Sequence, residues 1–225
     1  AVTSAGKSLG GIGIVFGHVA TGSWQLADAL TTTASATLTR GTLDTNNQAV
    51  TCGAFASNNT NTRTLTLGSS TITLTGAGAT VWDTSTATNL TLNAGTSTIT
   101  ASGAGPTLLF GSGLTFGSLT LSGSGTAQIV SGGSATFANI TRAGTAAKTD
   151  AFSVGSGSWT VTGTFTVTGN SATNRVLVQS TTTGTARTIT AAAVSLSNAD
   201  FQDITGAGAA SWTGTSLGDC GGNTG

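Results

Sequence analysis

The sequence has no glutamate, methionine or tyrosine, one proline, one histidine and two cysteines in 225 residues. Charge is scarce as well. Lys+Arg is 7, Asp+Glu is 7, and 6% of residues are charged, where a soluble domain has roughly 25%. A balance near zero leaves no electrostatic footprint for nucleic acid and no basic face for an anionic membrane. With a single His and no CxxC pair, the sequence offers no metal constellation and implies no cofactor. Cys52 and Cys220 lie too far apart in sequence to be assigned to each other, and two free or buried thiols are expected. No apolar run reaches the roughly 20 residues of a membrane-spanning helix. The nearest, IGIVFGHVA (12–20), is broken by Gly13, Gly17 and His18. No membrane insertion is expected, and no cationic, apolar leader is read in these residues, which begin at Ala1 as a processed or partial chain would and say nothing about export.

What remains is Gly, Thr, Ser, Asn and aliphatic residues. The 34 glycines and the many β-branched residues argue against helices, although Pro106 is the only proline. No window carries apolar residues at helical spacing; period two recurs instead. It is seen in ATLTRGTL (36–43), AVTCGAFA (49–56), RTLTL (63–67), STITLTG (70–76) and NLTLNAGTSTIT (89–100). It continues in GLTFGSLTLSG (113–123), WTVTGTFTVTG (159–169), RVLVQS (175–180) and ARTITAAAVSLS (186–197). These runs are short, and Gly or Ser corners separate them without the Asn-Gly pairs of tight hairpins.

The pattern predicts an all-β fold, a single-stranded parallel β-helix, with a β-sandwich or jelly roll as the alternative. Leu65, Leu67, Ile72 and Leu74 are expected to stack inward as apolar ladders, and Thr64, Thr66, Thr71 and Thr73 to face water. Leu65 to Leu90 reads as one coil step, but later spacings drift and no strict period holds. Residues 34–225 read as the solenoid domain, and 1–33, being less regular, as a cap or attachment segment.

The phrases GTLDTNNQAVTCGAFAS (41–57), TRTLTLGSSTITLTG (62–76), NLTLNAGTSTIT (89–100) and ADFQDITGAGAASWTGTSLGDCGGNTG (199–225) resemble a group of Gly/Thr-rich proteins. That group occurs in bacteriophage structural gene clusters and among bacterial extracellular proteins. The resemblance covers most of the chain after about residue 20 and rests on phrase style, not on a catalytic motif. It implies a repetitive β-solenoid exposed on a virion or cell surface, and it assigns no functional residue.

Candidate chemistry is sparse. AVTSAGKS (1–8) superficially fits a phosphate loop ending in Lys7 and Ser8, but no strand precedes it and LGGIG is a poor helix start. His18 has no triad context. Asp200 and Asp203, in NADFQDIT, are the candidate acid and base of a polysaccharide-cleaving β-helix. Three positions apart on a strand, however, they face opposite ways, and the other acids, Asp28, Asp44, Asp83, Asp150 and Asp219, are scattered. Capping of corners is the simpler role. Trp82, Trp159 and Trp212 are candidates for stacking on sugar rings and Trp24 is a fourth, but coil filling or end capping is the favoured role. Asn58, Asn89 and Asn139 head N-x-T triplets.

The threonine rows also admit ice binding, which wants TxT at one coil period. The intervals in sequence are uneven, which favours a solvated coat. The expectation is therefore a non-enzymatic structural or adhesive protein of a virion or cell surface: a bacteriophage fibre, decoration or tail-associated component. Its expected partners are copies of itself, other surface proteins and host surface glycans. A carbohydrate-binding or carbohydrate-degrading β-helix is the first alternative and ice binding the second.

Overall fold

The computed structural model describes residues 1–18 and 21–225; Val19 and Ala20, which end the apolar run 12–20, lie outside them. Every strand pairing is parallel, and the described residues contain no helix, hence none that could cross a membrane. The chain is a single-stranded parallel β-helix with three walls.

The first wall stacks Ser23–Gln25, Gly41–Asp44, Arg63–Thr66 and Leu90–Asn93. The second runs from Leu30–Thr31 through Val50–Cys52, Thr71–Leu74 and Thr98–Ala101. The third runs from Ile14–Phe16 through Ser35–Leu38, Ala54–Ala56, Thr80–Asp83 and Thr107–Phe110, then onward. From Leu114 the strands bend round the corner without a break. Leu114–Leu121, Ser134–Ala143 and Ser158–Thr168 each serve the first and second walls in turn, and Arg187–Gln202 runs on into the third, where it pairs with Val176–Ser180 and so joins 18 strands into one unclosed sheet.

Alternation decides which side faces in. Leu65, Leu67, Ile72 and Leu74 are at most 2% exposed, while Thr64 and Thr66 are half-buried and Thr71 is exposed. Along the second wall Val50, Ile72, Ile99, Leu119, Ile140 and Phe165 form one unbroken inward ladder. Each such aliphatic burial is worth roughly 1.5–3 kcal/mol, so a chain nearly without charges still holds together.

The coil step is not constant. Leu65 pairs with Leu92, not Leu90, whose partner is Arg63. That step is 27 residues, whereas Ile99 meets Leu119 after 20 and Trp24 meets Leu43 after 19. Corners absorb the difference. Among the long bent strands, Ser158–Thr168 carries one residue more than either neighbour just before the second wall begins: Val161 to Phe165 pairs with the shorter steps Phe137 to Ile140 and Ala191 to Val194.

The segment 1–33, expected as a cap or attachment region, contributes rungs of its own. Val2 bridges Leu26, Ser8 bridges Thr31, and Ile14–Phe16 pairs with Ser35–Leu38. Cys52 is buried in the second wall and Cys220 is exposed near the far end; they do not pair. Burial pushes the Cys52 thiol up to about 12, against a weaker pull from the Ala36 backbone, so it stays a protonated core residue.

Candidate functional site

The acidic candidates are not gathered into a cleft. Asp200 lies on the outer side of the third wall, where both of its oxygens accept from Arg175 at 2.8–3.0 Å. Arg175 also donates to the carbonyls of Ala199 and Ser216, so the pair ties three rungs together. The bidentate Asp200 carboxylate holds the Arg175 guanidinium above its ordinary value. Asp203 turns inward at the next corner with φ +55°, is 7% exposed, and its Oδ2 accepts the Gly184 N–H at 2.9 Å. The two residues point to opposite sides, as their spacing required, and each already has a structural partner. Among the described residues, no group of three or more His, Cys, Asp or Glu is placed to hold a metal ion.

The remaining acids do similar work. Asp44 accepts the Asn46 amide, Asp83 the Ser85 amide, Asp219 the Gly221 amide, and Asp28 the amides of Ser4 and Gly6. The first three are Asx turns at corners, and Asp28 instead fastens a loop some two dozen residues earlier in the chain.

Sequence reasoning missed the two arginines that hold corners from inside. Arg63 is fully buried and donates to the carbonyls of Asn61, Ser57, Thr86 and Thr88, and to Ser57 Oγ. It clamps the corner before its own rung to the one above. Arg142 occupies the inward position between Leu121 and Val167 and donates to the carbonyls of Leu121, Gly123, Gly125, Ala143 and Ala151. Asp150, itself buried, stands 3.7 Å away and accepts the amides of Gly125 and Thr145. Burial lowers both guanidinium values, and for Arg142 the Asp150 charge opposes that pull. A signal was present: period two places both arginines on the inward side.

The sugar-stacking arrangement of Trp82, Trp159 and Trp212 is not formed. Trp82 and Trp159 are at most 1% exposed. Trp82 stacks on Phe55 at 4.8 Å, and Trp159 ends a stack running through Phe116 and Phe137. Their N–H groups are satisfied by Thr84 Oγ1 and the Gly155 carbonyl. Trp24 is half-buried beside Phe16. Of the three candidates, Trp212 keeps a partly open face. It packs near Phe165 and lines an apolar groove of about 290 Å³ with Leu196, Phe201, Ile204 and Leu217 at the last rung. His18 is exposed in a bend, and no helix follows Lys7 and Ser8 to complete a phosphate loop. Asn58, Asn89 and Asn139 are all exposed.

Comparison with protein-family models, with characterised proteins and with solved structures finds no match.

The outer faces differ from one another. The third wall mixes Asp83, Leu109, Gln128, Val130, Gln179 and Asp200. The first wall has threonines at 42, 64 and 91 and again at 115, 136, 160 and 190, but Asp44 and Asn93 intervene and no strand pairing joins Thr91 to Thr115. The second wall is uniform. Thr31, Thr51, Thr73, Thr100, Thr120, Thr141 and Thr166 pair rung to rung in one straight rank, followed by Ser195.

Proposed function

We propose that the chain is a non-enzymatic structural and adhesive protein exposed on a virion or cell surface, a rigid rod of the kind found in bacteriophage fibres, decorations or tail-associated components. The observation that carries this reading is the use made of the polar core. The buried charged groups Arg63, Arg142, Asp150 and Asp203 are all bonded to backbone at corners, so the ionisable chemistry serves rigidity. The likeness of its Gly/Thr phrases to surface-exposed repetitive proteins supports the location.

Self-association follows from the two ends. The first rungs carry Ile12 and Val15, 65% and 67% exposed, and the last rung carries the groove lined by Phe201, Trp212 and Leu217. Different apolar surfaces at opposite ends favour head-to-tail contact, which extends as a filament and does not close. Light scattering and negative-stain microscopy at micromolar concentration are expected to find oligomers or filaments. Val15→Asp and Trp212→Asp are each expected to return the protein to monomers with its circular dichroism unchanged. A wild-type chain that is monodisperse and monomeric, or reducing ends released from a host polysaccharide and lost in Asp203→Asn, overturns the proposal.

A further inference from the structure

We propose that the outer face of the second wall binds ice. The inference stands apart from the display role and rests on a different observation, the registry of that wall. Three parallel ranks run along it. The central rank is Thr51, Thr73, Thr100, Thr120, Thr141 and Thr166. On one side lie Thr71, Thr98, Ser118, Asn139 and Thr164, of which Thr71, Thr98, Ser118 and Asn139 pair directly, and the Asn139 side chain accepts the Thr164 amide. On the other side lie Thr75, Ser102, Ser122 and Thr168, each two residues beyond the central threonine of its rung. The result is a TxT or SxT pair of hydroxyls on the rungs of Thr73, Thr100, Thr120 and Thr166; on the rung of Thr141 the flanking positions are Asn139, whose amide bonds Ser118 and the Thr164 N–H, and Ala143. The uneven intervals in sequence, which argued against such a face, are taken up at corners and leave the wall in register.

Physical spacing follows from strand geometry. Neighbouring rungs are about 4.8 Å apart, and alternate residues on one strand about 6.6 Å apart. Both distances are near oxygen repeats on exposed planes of ice. Threonine suits such an array because its branched Cβ restricts χ1, so successive hydroxyls and methyls keep one orientation. The side-chain ladders also favour a flat sheet. Among the described residues, no protein group bonds the hydroxyls of the six central threonines, whereas Thr75 Oγ1 bonds the Cys52 carbonyl and Thr66 on the first wall accepts from Asn93.

Charge complementarity selects the occupant. No ionisable side chain points outward from these ranks; the one arginine of the wall, Arg142, is buried. A neutral lattice of donors and acceptors matches that face, and an anionic polymer or membrane does not. No aromatic side chain lies on it either, which disfavours a crystalline polysaccharide, whose rings are held by aromatic faces.

The test grows ice slowly from a solution of the purified full chain and measures partition of the protein into the ice, alongside thermal hysteresis. The wild type is expected to be enriched in the ice and to produce hysteresis. Thr120→Tyr and Thr100→Lys, which put bulk or charge into the central rank, are expected to abolish both. Thr136→Tyr on the first wall is expected to retain them. Circular dichroism melting checks each variant, and where Thr120→Tyr fails to fold, Thr141→Lys replaces it. Exclusion of the wild type from ice overturns the proposal. So does full activity in the folded second-wall variants, or equal loss in Thr136→Tyr. Retention on crystalline cellulose with exclusion from ice also overturns it and assigns the face to a glycan.

Discussion

At the level of single residues, the unusual feature is how much is asked of two cations. Arg142 sits where the ladder above and below it is apolar, Leu121 on one side and Val167 on the other. A corner that turns inward leaves carbonyls without partners, and a rigid five-donor fork meets them better than separate hydroxyls can. Asp150 balances the charge and fastens two amides of its own. Removing one member of such a buried set strands the other and exposes unmet carbonyls to an apolar interior. Arg142→Met is therefore expected to lower stability by about 3–5 kcal/mol. Arg175→Met, whose ion pair with Asp200 is about a quarter exposed, is expected to cost much less. Urea unfolding of the two variants beside wild type gives the comparison, and equal losses sink the argument.

At the level of elements, the rungs were legible in the sequence and the corners were not. Alternation identified RTLTL and STITLTG as strands and gave the facing of Leu65, Leu67, Ile72 and Leu74, because a strand's side chains have period two whatever it pairs with. The step from Leu65 to Leu90 came out two residues short, since loops between walls vary in length and carry no periodic signal. The same blindness made the threonine intervals look irregular, although Thr73, Thr100 and Thr120 are stacked neighbours. Packing was the favoured role for Trp82 and Trp159, and both are buried, but the rings they stack upon were not legible, because which coil an aromatic meets depends on those loop lengths. Glycine marks one corner, between the second and third walls. Gly53, Gly76, Gly103 and Gly123 stand one above another, and a Cβ at any of the last three would meet the carbonyl oxygen of the glycine one rung earlier. Gly103→Ala is expected to cost about 1–3 kcal/mol through that overpacking. Gly132, with open space around its missing Cβ and no positive φ, provides the control. Gly132→Ala is expected to be neutral or stabilising by up to about 1 kcal/mol. Thermal melts of the pair decide whether backbone proximity or glycine flexibility explains the column.

At the scale of the whole molecule, each rung touches only its neighbours, so stability is a sum of local interfaces and the two ends have least support. The end segments are fastened by carboxylates. Asp28 holds the loop of Thr3, Ser4 and Gly6 to the first rungs, and the Ser4 amide is the largest influence keeping its carboxyl below the ordinary value. Asp219 holds the last loop through the Gly221 amide, foremost, and through Asn223. A carboxyl whose value is depressed by folding contributes stability that is fully present above its unfolded value. That contribution fades as pH falls through the lower folded value. The fastenings are thus intact at neutral pH and are lost only below the ordinary carboxylate value of 3.8. Between about pH 5 and about pH 2.5, exchange at Ser4, Gly6 and Gly221, corrected for intrinsic rates, is expected to accelerate. The central ladder around Ile99 and Leu119, far from either carboxylate, is expected to stay protected. Uniform loosening along the chain would mean that the rungs unfold as one cooperative block and that end fastening has no separate role.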